Sequence, residues 1–507
     1  MARGAPVVYT DFSGGVNLRT APYVLGENEC RDVRNFTVND GGGIRKRYGR
    51  VLLDEPATLD SVHSLFPVNT STKSLLVVGK EASASSDRII TISTGGTPTT
   101  LKSTLTEGQR WEWVQAPDSG SQGPIFGING TDAPQYWDGS AGSTSNWTAS
   151  TGTIPTSYKY MLYHSDTIWV TGSATYPGRV KFSGLTTAAV PAPDPRNWDD
   201  DYYVDMEPED GQEMTGIGAM NDYIVVFKPH KTYVITDPAT GAFRQLSEQI
   251  GCAAHRSIAE TERGTIFLSE DAGVCMTDGS NIWRIGDSVE TLITSAADSY
   301  PTSLVNAAGT YHRGSYYLSL PTASSSNDLM LEYHLDTESW WIHDFASNQM
   351  GLLDPGGTPK LYSACNAASK VCQLFVPDTY TDDDEVFDCY WESAYMPFGN
   401  PHVNKRITQF RADGVGDWEM SAKTSFNDSY VTLEELLWDG PTDFVFGGTG
   451  TYGGASDEFA PAAGSTERRY YTPTTGYGRA WSVRLDNSDA NQMVYYSMTA
   501  FVRERTD

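Results

Sequence analysis

The sequence predicts an all-β protein: a β-propeller of six blades or seven, followed by a C-terminal β-sandwich. Three observations carry that expectation. The 507 residues include 48 Gly and 28 Tyr, whereas long stretches of helix-forming composition are scarce. Short strand–turn–strand units begin anew roughly every 40–60 residues, the spacing of propeller blades. Each unit contains one wholly apolar run, as a strand buried on both faces requires, flanked by strands that alternate.

A chain of this length exceeds what one hydrophobic core organises, and three regions are expected. Residues 1–55 read as an N-terminal docking segment, 56–384 as the propeller and 385–507 as the sandwich. The first region begins extended and offers a short helical segment from about Gly26 to Phe36. It closes on Gly41-Gly42-Gly43, where consecutive glycines permit positive φ and a sharp reversal. A basic strand carrying Arg45, Lys46, Arg47 and Arg50 follows.

The propeller units open with HSLFPVNTSTKSLLVVGK and TEGQRWEWVQAPDSG and close with LLDPGGTPKLYSACNAASKVCQLFVPD. Within one of them, Asp222–Phe227 runs from an acidic turn into an apolar strand, before the Pro229 turn and Thr232–Ile235. One unit cannot bury its own faces, so the units must stack around an axis. Residues 191–215 interrupt the rhythm: between Asp194 and Glu213 stand nine acids and one arginine, including Asp199, Asp200, Asp201, Glu207, Glu209 and Asp210. This stretch is expected to be a long polar loop between blades. DSVETLITSAAD (287–298) is the best candidate helix. In the sandwich region, strand-like segments flank the Gly/Ala/Ser-rich FVFGGTGTYGGASDEFAPAAGS, read as a mobile insertion.

The net charge, 36 − 64 = −28, opposes gripping nucleic acid through its phosphates. It is compatible with a wall that DNA slides past, because like charges prevent sticking. Residues 1–50 differ, with eight basic residues against five acidic, which suggests a docking edge for an acidic neighbour. The six cysteines contain no C-x-x-C pair and are too sparse for a disulfide scaffold, so reduced thiols are expected. MARGAPVVYTDF lacks the pattern of a signal peptide, and no run of 18 apolar residues occurs, so synthesis in a cytoplasm without membrane insertion is expected.

No constellation points to catalysis. GGGIRKRYG lacks the Lys-Ser/Thr ending and the helix of a phosphate-binding loop. No G-x-S-x-G elbow, H-E-x-x-H pair or Cys/His metal spacing occurs, and His334 and His343 share a metal only by accident of fold. SEDAGVCM echoes the Ser-x-Asp-x-Gly turn of sialidase-type blades without the following Trp, and that turn is structural. A glycosidase needs two carboxylates at a set separation, and nothing selects a pair here. Asp199–Asp201 and Asp382–Glu385 supply hard oxygens for calcium but match no twelve-residue loop. Trp111, Trp113, Trp137 and Trp147 hint at a sugar-stacking surface, although core packing explains them more simply. No catalytic residue, metal or cofactor is therefore expected.

Phe12-Ser13-Gly14-Gly15-Val16-Asn17, Asn35-Phe36-Thr37-Val38 and Gly43-Ile44-Arg45-Lys46-Arg47-Tyr48-Gly49 together resemble the opening of a bacteriophage tail-protein family. GQEMTGIGAMNDYIVVFKPHKTYVITD, GCAAHRSIAETERGTIFLSEDAGVCMTDG and EYHLDTESWWIHDF are similar to its blade segments, so the likeness spans about 1–380 and, more loosely, the rest. The family comprises propeller-bearing tail nozzle or packaged-DNA stabilisation proteins of short-tailed phages and minor tail proteins of long-tailed ones. The resemblance implies a virion structural protein in a homo-oligomeric ring, commonly a hexamer. Such a ring contacts neighbouring tail proteins and meets DNA only in transit. The chain is shorter than the largest nozzle proteins and ends in a compact sandwich. A peripheral tail protein contacting a host receptor or glycan is thus the alternative, and a cell-wall glycosidase the third reading.

Overall fold

The computed structural model describes residues 5–504 other than 71, 117–122, 185–193, 238–239, 294–303, 323, 366–368, 437–466 and 473–476. It divides into two compact units, Arg50–Glu338 with His343–Val376, and Met1–Gly49 with Ser339–Ile342 and Pro377–Asp507.

The first unit is a seven-bladed propeller. Seven four-stranded antiparallel sheets begin at Leu59–Asn69, Glu112–Gln115, Tyr160–His164, Gly216–Met220, Ala259–Thr261, Ala308–His312 and Ser347–Leu353. These first strands touch one another in series, and the seventh touches the first, so the blades close into a ring. The apolar runs are the second strands: Thr167–Thr171, Gly264–Ser269 and Ser315–Leu320 are buried along their whole length. Each lies between neighbouring blades, and the core is accordingly a set of inter-blade layers. One layer joins Trp169 and Val180 of the third blade to Ile224 and Val226 of the fourth. Another joins Leu353 and Tyr362 of the seventh to Val62 and Val77 of the first. Each such aliphatic side chain contributes about 1.5–3 kcal/mol when fully buried.

The seventh blade is completed from the other end of the chain. Its outermost strand is Val51–Asp54, antiparallel to Val371–Gln373 with Leu52 opposite Cys372. The expected boundary at residue 55 is corrected, because Val51–Asp54 is part of a blade. The acidic stretch also differs from a simple loop. Asn197–Trp198 pairs in parallel with Thr151–Gly152, and Tyr203–Asp205 is the outer strand of the third blade. Of the predicted helix at 287–298, Asp287–Val289 is a 3-10 turn and 290–293 is helical, while the remainder lies outside the described residues.

The second unit is a β-sandwich built from both ends of the chain. One sheet holds Ala5–Tyr9, Phe36–Val38 and Ile44–Lys46 together with Lys405–Val415, Glu434–Leu436, Glu467–Thr472 and Val494–Glu504. The other holds Gly15–Val16 and Glu29–Arg34 with Cys389–Ser393, Glu419–Thr424, Asn427–Thr432 and Trp481–Asn487. Phe410 of the first sheet meets Trp481 of the second edge-on at 6.5 Å, and Phe12 packs between Trp391 and Tyr495. The N-terminal region is therefore a set of sandwich strands, not a separate docking segment.

The helix predicted near Gly26–Phe36 is instead the strand Glu29–Arg34. Cys30 and Val33 are both buried at a helix-like spacing of three because a register shift between Cys30 and Asp32 turns the strand over. The Gly/Ala/Ser-rich insertion read as mobile lies outside the described residues.

Candidate functional site

Glu112, His255 and Arg256 gather at a cavity beside the first strands of the propeller. Near an axis seven strands converge, and the sequence supplies small residues there, Gly216, Gly218 and Ala219 on one first strand and Ala308 and Gly309 on another. They leave a cavity of about 380 Å³ bordered by Glu112, Met161, His255, Arg256, Thr310 and Gln349. The 3-10 turn His255–Ser257, between the fourth and fifth blades, sends Arg256 across it. There Nε donates to Glu112 Oε1 at 2.7 Å, Nη1 to the His63 carbonyl at 2.6 Å, and Nη2 to Ser64 Oγ at 2.8 Å and the Trp111 carbonyl at 3.0 Å. These acceptors sit on or beside the first strands of blades one and two, so the guanidinium bars the axis. Arg110 spans it too, donating to the Val305 and Asn306 carbonyls at 3.2 and 3.4 Å.

The electrostatics are those of a clamp. Burial, reinforced by the adjacent Arg256, pulls Arg110 down to about 9, and it stays charged at neutral pH. Burial also holds His255 below the usual imidazole range despite Glu112 nearby. His255 Nδ1 accepts from the Ile217 N–H at 3.4 Å, which leaves Nε2 to carry the proton facing Glu112. Burial raises the Tyr160 phenol as well, so it remains protonated, and its ring packs 4.7 Å from that of His255. Arg256 fixes Glu112 in place.

Of the four residues predicted as a docking edge, Lys46 and Arg47 are 0% and 1% exposed, a correction to that expectation. Lys46 Nζ donates to the Phe387 carbonyl at 3.3 Å and to Asn487 Oδ1 at 3.2 Å, and burial holds it below the ordinary lysine range. Arg47 is bidentate to Asp382 at 2.9 and 2.7 Å, and its Nε donates to Asn35 Oδ1 at 2.8 Å. Arg45 and Arg50 are partly exposed, with Arg45 over the Tyr48 ring and Arg50 5.9 Å from that of Phe345. Lys46 thus satisfies carbonyls of the C-terminal loops and Arg47 a carboxylate, both inside the fold.

The acidic residues are largely partnered as well. Asp199 is partly exposed and Asp200 and Asp201 exposed, whereas Glu207 and Asp210 face lysines of the fourth blade, and Glu209 is exposed. Asp210 accepts from Lys228 at 2.7 Å and Lys231 at 2.9 Å, and Lys231 also reaches Glu207 at 2.6 Å. Burial would raise Asp210, but the hydrogen bonds from Lys228, the Gln212 amide and Lys231 outweigh it and bring the carboxyl down to about 2. A carboxyl depressed in the folded state stabilises it above the unfolded value of about 3.9. That contribution is lost as pH falls through about 2. Denaturant unfolding across this window should show Asp210→Asn less stable than the parent at pH 7, with the difference vanishing in acid. A constant difference at every pH would contradict it.

The remaining candidates are structural. His343 is buried, with Nε2 at 3.0 Å from Glu332, while His334 meets Thr337, so the two share no site. No group of three metal-ligating side chains is gathered among the described residues. Asp383 and Asp384 form the turn of a hairpin at φ 52° and 70°, and Asp382 is held by Arg47. SEDAGVCM is the hairpin joining Gly264–Ser269 to Gly273–Thr277. GGGIRKRYG enters a strand, Ile44–Lys46. Trp111, Trp113, Trp137 and Trp147 are buried and offer no exposed stacking surface.

A larger cleft of about 910 Å³ lies on the sandwich, bordered by Tyr390, Trp418, Glu419, Tyr430, Arg469 and Arg484 with several carboxylates. Arg469 lies 4.5 Å over Trp418 and bonds Asp417 at 2.6 Å, and Arg484 lies 4.2 Å over Tyr390 and bonds Asp486 at 2.8 Å. Its cations are thus already engaged. Sequence reading missed Arg256, Glu112 and Arg110. The available signal was the Gly/Ala-containing run before the His-Arg pair in GCAAHRSIAETERG.

No family model matches the chain, and no curated protein matches it. Among solved structures it is similar to the extracellular domain of the putative one component system BT4673 from B. thetaiotaomicron, with 10% identity and a TM-score of 0.41 over 81% of this chain. The chain spans 58% of that protein's length. The WD40 β-propeller domain of Doa1 is similar at 7% identity and TM-score 0.41, covering 65% of this chain and 98% of that domain. The AfRom2 CNH domain is similar at 11% identity and TM-score 0.38, covering 64% and 99%.

Proposed function

We propose that this chain is a structural protein of a bacteriophage tail, assembling with copies of itself and with neighbouring tail proteins into a ring of the distal tail. The observation that carries the proposal is what the N-terminal signature residues do. Phe12 is fully buried against Trp391, and a side chain at Gly15 would strike the Trp340 carbonyl. Asn35 adopts φ 57° and donates to the Asp388 carbonyl at 2.7 Å, Arg47 grips Asp382, and a Cβ on Gly49 would overlap the Thr381 carbonyl. The motif that resembles the tail family is thus made of residues whose identity this fold requires.

Two further features support a mechanical role. The propeller is closed by pairing Val51–Asp54 with Val371–Gln373, and the sandwich by pairing Ala5–Tyr9 with Val494–Glu504. Unravelling either unit from an end must break a sheet joined across several hundred residues. Because Arg256 bars the propeller axis, the proposed DNA path runs between copies of the chain and not through one propeller. A net charge of −28 would keep such a passage free of adhering phosphates. Quantitative mass spectrometry of gradient-purified particles tests the proposal. The chain should be present at a fixed multiple per particle; recovery only in soluble host lysate would contradict it.

A second reading, recognition of a host glycan, is favoured by the polar cleft on the sandwich. Binding on a glycan array, abolished by Glu419→Gln with Arg469→Ala, is its expected result; an array without binding rejects it.

A further inference from the structure

All six cysteines are buried, and two of them meet. Cys365 Sγ and Cys372 Sγ stand 3.0 Å apart, about 1 Å beyond the sulfur–sulfur bond length of about 2.0 Å. They lie on the antiparallel strands Lys360–Cys365 and Val371–Gln373 of the seventh blade, where Cys372 faces Ser363 and the Cys365 N–H donates to the Lys370 carbonyl at 3.0 Å. The pair is therefore diagonal on one face of the hairpin, packed with Tyr317, Phe345 and Leu361 between the sixth and seventh blades. Cys252 Sγ lies 3.2 Å from the Ala254 carbonyl and Cys389 Sγ 3.4 Å from that of Asn487, so neither meets a second thiol there.

We propose that Cys365 and Cys372 are a redox modification site, closing to an intramolecular disulfide by exchange with a small-molecule disulfide. The proposal puts Cys365 first, as the residue of the pair with some exposure, 4% against 0% for Cys372. Its thiolate attacks the small disulfide, forming a mixed disulfide and expelling one thiolate. The Cys372 thiolate then attacks the Cys365 sulfur and expels the second. The protein loses two protons and two electrons, and one small disulfide becomes two thiols. The bond staples the strand Val371–Gln373, which pairs with Val51–Asp54 to close the ring.

The full-length native protein, incubated with oxidised glutathione and then alkylated under denaturing conditions, provides the test. Alkylated cysteines should fall from six to four, with the cross-link mapping to Cys365 and Cys372 and reversing with a thiol reductant. Cys372→Ser should trap one glutathione on Cys365. Six alkylated thiols after oxidation, or a cross-link at any other pair, would overturn the proposal.

Discussion

Replacing Arg256 with alanine is expected to destabilise the propeller by about 3–5 kcal/mol, the cost of breaking a buried ion pair from one side. The guanidinium makes four hydrogen bonds to the first two blades from a turn that precedes the fifth. Without it, Glu112, whose side chain is 12% exposed, loses the guanidinium that donates to it at 2.7 Å. The carbonyls of His63 and Trp111 also lose the donor that reached them across the axis. Lysine should not rescue the loss, because an ammonium cannot match the planar fork that serves four acceptors on two strands. In denaturant unfolding, Arg256→Ala should lower the midpoint strongly. A fall below about 1 kcal/mol, the worth of an ordinary surface pair, would mean that the bar is incidental.

The second large effect concerns Arg47. Arg47→Ala should cost the sandwich about 3–5 kcal/mol by the same logic. Both Asp382 oxygens and Asn35 Oδ1 lose their donor, and the Phe387 ring loses the cation 3.8 Å above it. Asp382→Asn should cost less, since an amide still accepts on one oxygen. The double substitution should cost less than the sum of the two, as partners in one network do. Near-ultraviolet circular dichroism and denaturant unfolding would read these changes. If Arg47→Ala leaves stability unchanged and impairs only assembly with the proposed partners, the residue is a docking contact after all.

The blades were legible because a strand buried on both faces has no choice of residues. Ile-Val-Val-Phe at 224–227 and Thr-Ile-Phe-Leu at 265–268 announce themselves whatever surrounds them. Closure was not legible. Val51–Asp54 is a short strand with exposed Val51 and Leu52, and its place is set by a partner some 320 residues away, to which no local pattern points. The segment expected as helix near Gly26–Phe36 is the strand Glu29–Arg34, whose pairing with Cys389–Ser393 lies some 360 residues away and leaves no local sign.

Charge misled in a more general way. Lysine and arginine are almost never fully buried unless paired, so a run of basic residues reads as surface. Here Asn487, Asp489 and Asp382 lie waiting far along the chain, and Lys46 and Arg47 are drawn inside. The axial clamp was hidden for the same reason. Glu112 and Arg256 are unremarkable apart, and only the closing of seven blades brings them to 2.7 Å.

The place of the chain in a particle is the most direct test of the account. Nanogold attached to its C-terminus and imaged by negative stain on intact phage should mark repeated, symmetrically spaced positions on the distal tail. Fully infectious particles carrying no gold, from a culture in which only the tagged chain is made, would contradict it.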